Sequence, residues 1–265
     1  MAMFKNITIG QYIPGTSFIH RLDPRTKIIA AFLLIILLFM LRSFIGYGFA
    51  ALFIFGIIYL SRLPIIFVLR GIRPLLIIIL LTLSLHIFMT EGTEILRVWF
   101  ISITIEGLSR GVMMGLRLVL LVMGTSLLTL TTSPILLTDG IESLLKPLKR
   151  IGVPAHELAM MMTIALRFIP TLLEETEKIM KAQMARGADF ESGNVFQRAK
   201  NLVPLLVPLF ISAFRRADDL AIAMEARGYR GGEGRTKFRE LKFAMHDVYS
   251  IVFVIGFVLI ISLFF

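Results

Sequence analysis

Two arginines stand where they could grip an acidic partner. Arg186 and Arg227 lie 41 residues apart, each inside an Ala-Arg-Gly triplet, Ala185-Arg186-Gly187 and Ala226-Arg227-Gly228. A guanidinium is planar, permanently charged and carries five N–H donors in a fixed fork, which suits bidentate binding of carboxylates. Each triplet closes a long stretch of helical apolar period. Arg in a last turn favours the negative end of the macrodipole, and Gly just beyond is the usual stop. A single copy needs no more explanation than a well-terminated helix. Two copies, ending the only two long amphipathic segments of the chain, point to a paired docking device.

No other constellation supports chemistry. His20, His86, His156 and His246 are far apart and lack metal-ligand spacing. His156-Glu157 lacks the second His of a zinc-protease helix, and no Gly-x-Ser-x-Gly elbow occurs. Glu174-Glu175 and Asp218-Asp219 read as solvated helix faces. The loop Gly231-Gly232-Glu233-Gly234 is rich in glycine, but a phosphate-binding loop ends in Gly-Lys, a pair the chain does not contain. Without Cys there are neither disulfides nor thiolate metal sites. The chain reads as non-enzymatic, with no cofactor or metal of its own.

Hydropathy sets the elements that must carry the arginines. The chain is 57% apolar with mean hydropathy +0.84, outside the range of soluble domains. Seventeen of its 28 Lys and Arg, and 13 of its 18 Asp and Glu, fall between Pro134 and His246. Four regions follow: an N-terminal interfacial segment (1–27), a membrane part (28–131), a charged insert (132–246) and a last apolar stretch (247–265). The first residues do not read as a cleaved signal peptide. A span needs about 20 apolar residues. Spans are expected over 28–41, 44–60, 75–89, 108–130 and 248–265, with Gly46, Gly48 and Gly56 letting the second approach its neighbours. The fold class is therefore an all-α membrane protein: about five transmembrane helices plus a cytoplasmic domain of one short and two long amphipathic helices.

Charge orients it. Arg21, Arg25 and Lys27 precede the first span, and Arg62, Arg70 and Arg73 lie between the second and third. Glu91, Glu94 and Glu106, against Arg97 alone, lie between the third and fourth. The positive-inside rule then puts the N-terminus and the insert in the cytoplasm and the C-terminus outside. The net charge of +10 fits topology and anionic lipid. It mixes both signs and lacks a basic stripe interleaved with aromatics, which excludes nucleic acid as the partner. Arg117, about 13 Å into the fourth span, wants either an intramembrane partner or local thinning and snorkelling.

Within the insert a short helix is expected after Pro134, broken at Gly152-Val153-Pro154. A long one follows from Ala155, striped by Leu158, Met161, Ala165, Phe168, Leu172 and Ile179 and expected to kink at Pro170. The second long helix is striped by Leu206, Phe210, Ala213, Ala217, Leu220 and Met224. The stretch 201–214, which overlaps it, is too short to cross and suits a helix lying at the membrane surface. Residues 188–193 read as a turn and 229–236 as a basic loop. Methionines crowd the stripes, and Met-rich faces adapt to partners of different shape. Met161 taken alone suits packing between the two helices.

These residues resemble the transmembrane T component of energy-coupling-factor transporters, the CbiQ family. The two Ala-Arg-Gly ends are similar to its coupling-helix motifs. Ile9-Gly10-Gln11-Tyr12-Ile13-Pro14-Gly15, His20-Arg21-Leu22-Asp23-Pro24-Arg25-Thr26-Lys27, Thr131-Thr132-Ser133-Pro134 and Ala223-Met224-Glu225-Ala226-Arg227-Gly228-Tyr229-Arg230 resemble the branch shared among vitamin importers. The resemblance implies a subunit in a bacterial cell membrane, joined to two cytoplasmic ATPases, a heterodimer, that hold ATP and Mg. One or several interchangeable substrate-binding S subunits would complete the importer. It further implies that Ala185, Arg186, Gly187, Ala226, Arg227 and Gly228 dock the ATPases. Met161, Met162, Met180, Met184, Phe210 and Met224 would face the S subunit. The rival reading is a self-contained secondary transporter or channel, which requires buried ionisable groups such as Arg117 and His86 at mid-membrane.

Overall fold

Helix starts are written as polar caps ahead of apolar runs. The Ser17 hydroxyl accepts from the His20 amide and opens α1 (Phe18–Arg21). Asp23 accepts from the Arg25 amide, with Pro24 at the first helical position, and opens α2 (Pro24–Met40). Ser43 caps α3 (Phe44–Ser61). In the computed structural model, which describes residues 12–98, 101–190, 194–231 and 241–264, the chain continues through α4 (Ile65–Arg70) and α5 (Leu76–Met89). An antiparallel hairpin follows, β1 (Glu94–Val98) with β2 (Ile101–Thr104), pairing Leu96 with Ile103 and Val98 with Ile101. Then come α6 (Ile105–Thr131), α7 (Pro134–Leu145), α8 (Ala155–Ala185), α9 (Val195–Ala226) and α10 (Met245–Phe264). The all-α expectation holds apart from this short hairpin in the acidic loop.

The described residues form two compact units, one within Gly10–Leu144 and Glu240–Phe265, the other within Leu145–Arg239. In the first, buried side chains recur at helical spacing: Leu34, Leu37, Leu38 and Leu41 on α2; Tyr47, Ala50, Ile54 and Ile58 on α3; Leu120, Met123, Leu127 and Leu130 on α6; Val254, Val258 and Ile261 on α10. The opposite faces stay apolar and exposed, as at Phe32, Leu52 and Phe253. That is the signature of helices whose outer solvent is lipid.

Five helical stretches are long and apolar enough to cross a membrane: Phe44–Ser61, Ile65–Met89, Ile105–Thr131, Ala155–Ala185 and Met245–Phe264. The number agrees with expectation, but the membership differs. With 17 residues and a charged first turn, α2 is too short to qualify. The first half of α8 lets it qualify, but its best window has hydropathy 1.2 against 1.9 to 2.4 for the others. Its second half carries Glu174, Glu175, Glu177, Lys178 and Lys181. Packing separates the two helices: α2 supplies four core leucines to the first unit, whereas α8 lies against α9 in the second.

Two further expectations need correction. The third helical stretch, expected to start near Arg70, begins at Ile65: Arg70 closes α4 and Arg73 opens a 3₁₀ turn, Arg73–Leu75, that leads into α5. Of the α3 glycines, Gly46 is buried, but Gly48 and Gly56 have open space around them. The close approaches are instead on α6. A Cβ at Gly107 would lie 2.7 Å from the His86 carbonyl oxygen, and one at Gly111 would lie 3.3 Å from that of Leu83. Together with Gly115 they form a small-xxx-small stripe along which α5 packs.

The expected N-terminal interfacial segment lies outside the described residues up to position 11. Parts of the 188–193 turn and most of the 229–236 loop also lie outside them.

Candidate coupling site

Both Ala-Arg-Gly triplets close their helices in the same way. Arg186 is the C-cap of α8, with φ −88° and ψ 7°; Arg227 is the C-cap of α9, with φ −89° and ψ 7°. The glycines then take left-handed backbone, φ +88° at Gly187 and +71° at Gly228, a region open to Gly without strain. The Gly187 amide donates to the Met184 carbonyl (2.9 Å) and the Ala188 amide to that of Gln183 (3.0 Å). In the second copy the Gly228 amide donates to Glu225 (2.8 Å) and the Tyr229 amide to Met224 (3.0 Å). Each is a Schellman end, which satisfies orphan carbonyls and turns the chain sharply after the Arg. Both guanidiniums are exposed and make no ion pair or hydrogen bond among the described residues. The two copies are therefore one helix-end geometry, seen twice.

α8 and α9 are each continuous. α8 runs 31 residues through Pro170, and α9 runs 32 through Pro204 and Pro208. The stretch 201–214, read as a helix at the membrane surface, is the middle of α9. Apolar contacts elsewhere along the two helices sustain them despite the lost backbone donors. Of the six residues expected to face an S subunit, Met161, Met162, Met184 and Phe210 are exposed, while Met180 and Met224 are half-buried. Met161, at 55% exposure, is no packing residue between the helices. Around Phe210, Leu206, Val207, Ile211 and Phe214 are exposed too, so the α9 stripe is an apolar surface.

Sequence reasoning missed what joins the two long helices. Glu175, assigned to a solvated face, accepts from the Ser212 hydroxyl and, at 2.9 Å, from the Arg216 guanidinium. Arg216 Nε also reaches the Ser212 hydroxyl at 3.5 Å. The i, i+4 spacing of Ser212 and Arg216 was the available signal, since it puts both on one side of α9.

Arg117 finds its partners inside the first unit. Its Nε donates to the Tyr47 hydroxyl (2.9 Å) and its guanidinium to the Leu41 carbonyl (3.2 Å) at the C-terminal end of α2. Phe39 and Tyr47 lie 5.5 and 5.9 Å from the guanidinium, within cation–π range. His86 Nδ1 is 3.0 Å from the Thr82 carbonyl of its own helix. Both groups are thus hydrogen-bonded to protein, Arg117 across helices and His86 within its own. Among the described residues no cluster of His, Asp or Glu could hold a metal.

The comparisons agree with the architecture. The family model described as cobalt transport protein, CbiQ, matches residues 15–238. The energy-coupling factor transporter transmembrane protein of Thermosediminibacter oceani is 64% identical over 248 residues, covering 94% of each chain. Those of Clostridium kluyveri and Bacillus subtilis are 60% and 54% identical, covering at least 92% of each chain. With the family model spanning most of the chain and such relatives matching it nearly end to end, the chain belongs to the CbiQ family of energy-coupling factor transporter transmembrane components.

Proposed function

We propose that this chain is the coupling subunit of an ATP-driven vitamin importer. Arg186 and Arg227 each dock a different cytoplasmic ATPase of a heterodimer, and the ATPases bind ATP and Mg and hydrolyse the ATP. The observation that carries this reading is the duplicated Schellman end with its exposed guanidinium, which makes no ion pair among the described residues. Such an end projects a bidentate donor from a stiff helix, and the Gly beside it lets a partner approach closely. The exposed Met161, Met162, Met184 and Phe210, with Met180 and Met224, form the adaptable apolar face for interchangeable S subunits. In this arrangement α2, α3, α4–α5, α6 and α10 cross the bilayer. α8 and α9 lie on its cytoplasmic side, with the N-terminus inside and the C-terminus outside. The short α2 can still cross where the bilayer thins locally.

The test is the Arg186→Ala, Arg227→Ala double variant in proteoliposomes, with vitamin uptake and ATPase activity measured beside pull-down of both ATPases. Truncating one partner of a buried, hydrogen-bonded charge pair costs about 2–5 kcal/mol. The double variant should therefore lose assembly, each single variant should keep one anchor, and Arg→Lys should be only partly tolerated. Normal uptake and normal ATPase binding by the double variant would sink the proposal.

A further inference from the structure

The first turn of α2 holds a buried group of charges that nothing in the docking geometry uses. Asp23, Lys27 and Asp247 are 6%, 8% and 1% exposed. Asp247, near the start of α10, accepts three hydrogen bonds. Its Oδ1 takes the Asp23 amide (2.8 Å) and the Thr26 hydroxyl (3.4 Å), and its Oδ2 takes the Ala244 amide (2.9 Å). One carboxylate therefore satisfies free donors at the N-terminal ends of two helices that are more than two hundred residues apart in sequence. Lys27 points its ammonium elsewhere, to the carbonyls of His20 (3.1 Å) and Thr131 (3.0 Å). Asp23 and Asp247 both attract that ammonium. Arg25 completes the group, with its guanidinium 3.7 Å from Asp23 and 3.5 Å from the Leu241 carbonyl. Two buried carboxylates thus face the buried Lys27 and the partly exposed Arg25, with His246 Nε2 3.7 Å from Asp247 Oδ2.

Where these contacts fall along the chain gives them meaning. Thr131 is the last residue of α6 and leads into α7, which packs by Gly140 against Pro24 and Ile28 before the chain enters the second unit at Leu145. Leu241, Ala244 and Asp247 are where it comes back. Lys27 holds the exit while Asp247 and Arg25 hold the return, all against one helical turn.

We propose that Asp247 and Lys27 are positioning residues that clamp both ends of the insert to one fixed point, so that force on α8 and α9 reaches the membrane helices instead of spreading the two chain ends apart. The inference rests on the coupling function proposed above. A clamp of this kind needs bonds that resist shear in a fixed direction. Several hydrogen bonds to buried charges supply that better than apolar contact, which slides.

The experiment uses the full complex, purified with its ATPases and S subunit and reconstituted in proteoliposomes. Variants Asp247→Ala, Asp247→Asn and Lys27→Met are compared for ATP hydrolysis and for uptake of the tritiated vitamin that the co-expressed S subunit binds. Asp247→Ala should lower uptake roughly tenfold or more, the scale of one lost hydrogen bond to a buried charge, while hydrolysis stays within about twofold. Asp247→Asn keeps an acceptor oxygen and should fall between. Asp247→Ala should speed amide exchange at residues 23–28 and 241–250; Lys27→Met, which releases only the exit, should uncouple likewise, with faster exchange confined to residues 20–28 and 129–134. If uptake and hydrolysis fall together in every variant, in step with the yield of complex, the group is ordinary structural support and the proposal fails. Unchanged uptake in Asp247→Ala overturns it equally. The double arginine variant, run alongside, separates the two ideas: its normal transport would refute the coupling function, whereas its failure beside a coupled Asp247→Ala would refute the clamp alone.

Discussion

The glycine stripe of α6 makes a graded prediction, because adding one methyl group meets different obstacles at each step. At Gly107 the new carbon would lie 2.7 Å from the His86 carbonyl oxygen, 2.8 Å from the Thr104 hydroxyl and 3.1 Å from the Ile87 carbonyl oxygen. Two of these are backbone atoms and cannot rotate away. The third is the cap that accepts the Gly107 amide at 3.1 Å. Overpacking costs about 1–3 kcal/mol and a lost cap about 1 kcal/mol. Against this, replacing Gly by Ala within a helix gains about 1 kcal/mol. Gly107→Ala should thus destabilise by about 1–3 kcal/mol. At Gly111 the nearest atom is the Leu83 carbonyl oxygen at 3.3 Å, so a small shift offsets the gain and the net change is near zero. At Gly115 the neighbour is an Ile79 methyl at 3.8 Å, an ordinary contact, and the helix gain stands. Gly56→Ala, with nothing within 4 Å, should behave like Gly115→Ala. For a chain of this size each kcal/mol moves the melting temperature by about 2–4 °C. Thermal unfolding in detergent, followed by fluorescence-detected size exclusion, reads the order directly. If Gly115→Ala is as damaging as Gly107→Ala, or all four variants melt together, the seam between α5 and α6 is not packed as described.

Two further predictions follow from charge. Glu175→Gln should weaken the α8–α9 pairing by about 1 kcal/mol, since the Arg216 bond is charge-assisted but both side chains are partly exposed, at 23% and 37%. A double-mutant cycle with Arg216→Gln should show coupling of the same size that shrinks in high salt; additive effects would mean the pair is incidental. For topology, cysteines placed at Glu91 and Arg230 in this chain without native Cys should label from opposite sides of intact cells, Glu91 from outside. Labelling of Arg230 from outside would reverse the orientation.

What the sequence determined by itself was whatever depends on local order along the chain. Apolar runs, polar caps such as Asp23-Pro24, and Arg-Gly at two helix ends each act through neighbours within a turn or two. The helical class, most of the spans and both Schellman ends follow from them. The short hairpin in the acidic loop escaped because its strands are only five and four residues long, too short for an alternating pattern to stand out. The full extent of α9 from Val195 escaped because the rule that Pro disrupts a helix is local, and the helix continues through Pro204 and Pro208. Only the tertiary structure could say which glycines are pressed against a backbone: Gly107 and Gly48 look alike in sequence, and their difference is the distance to another helix. The same holds for Glu175 against Arg216, Arg117 against Tyr47, and Asp247 against Asp23. Each is a polar group whose partner is 41, 70 or 224 residues away, so its surroundings are created by folding and exist nowhere in the linear chain.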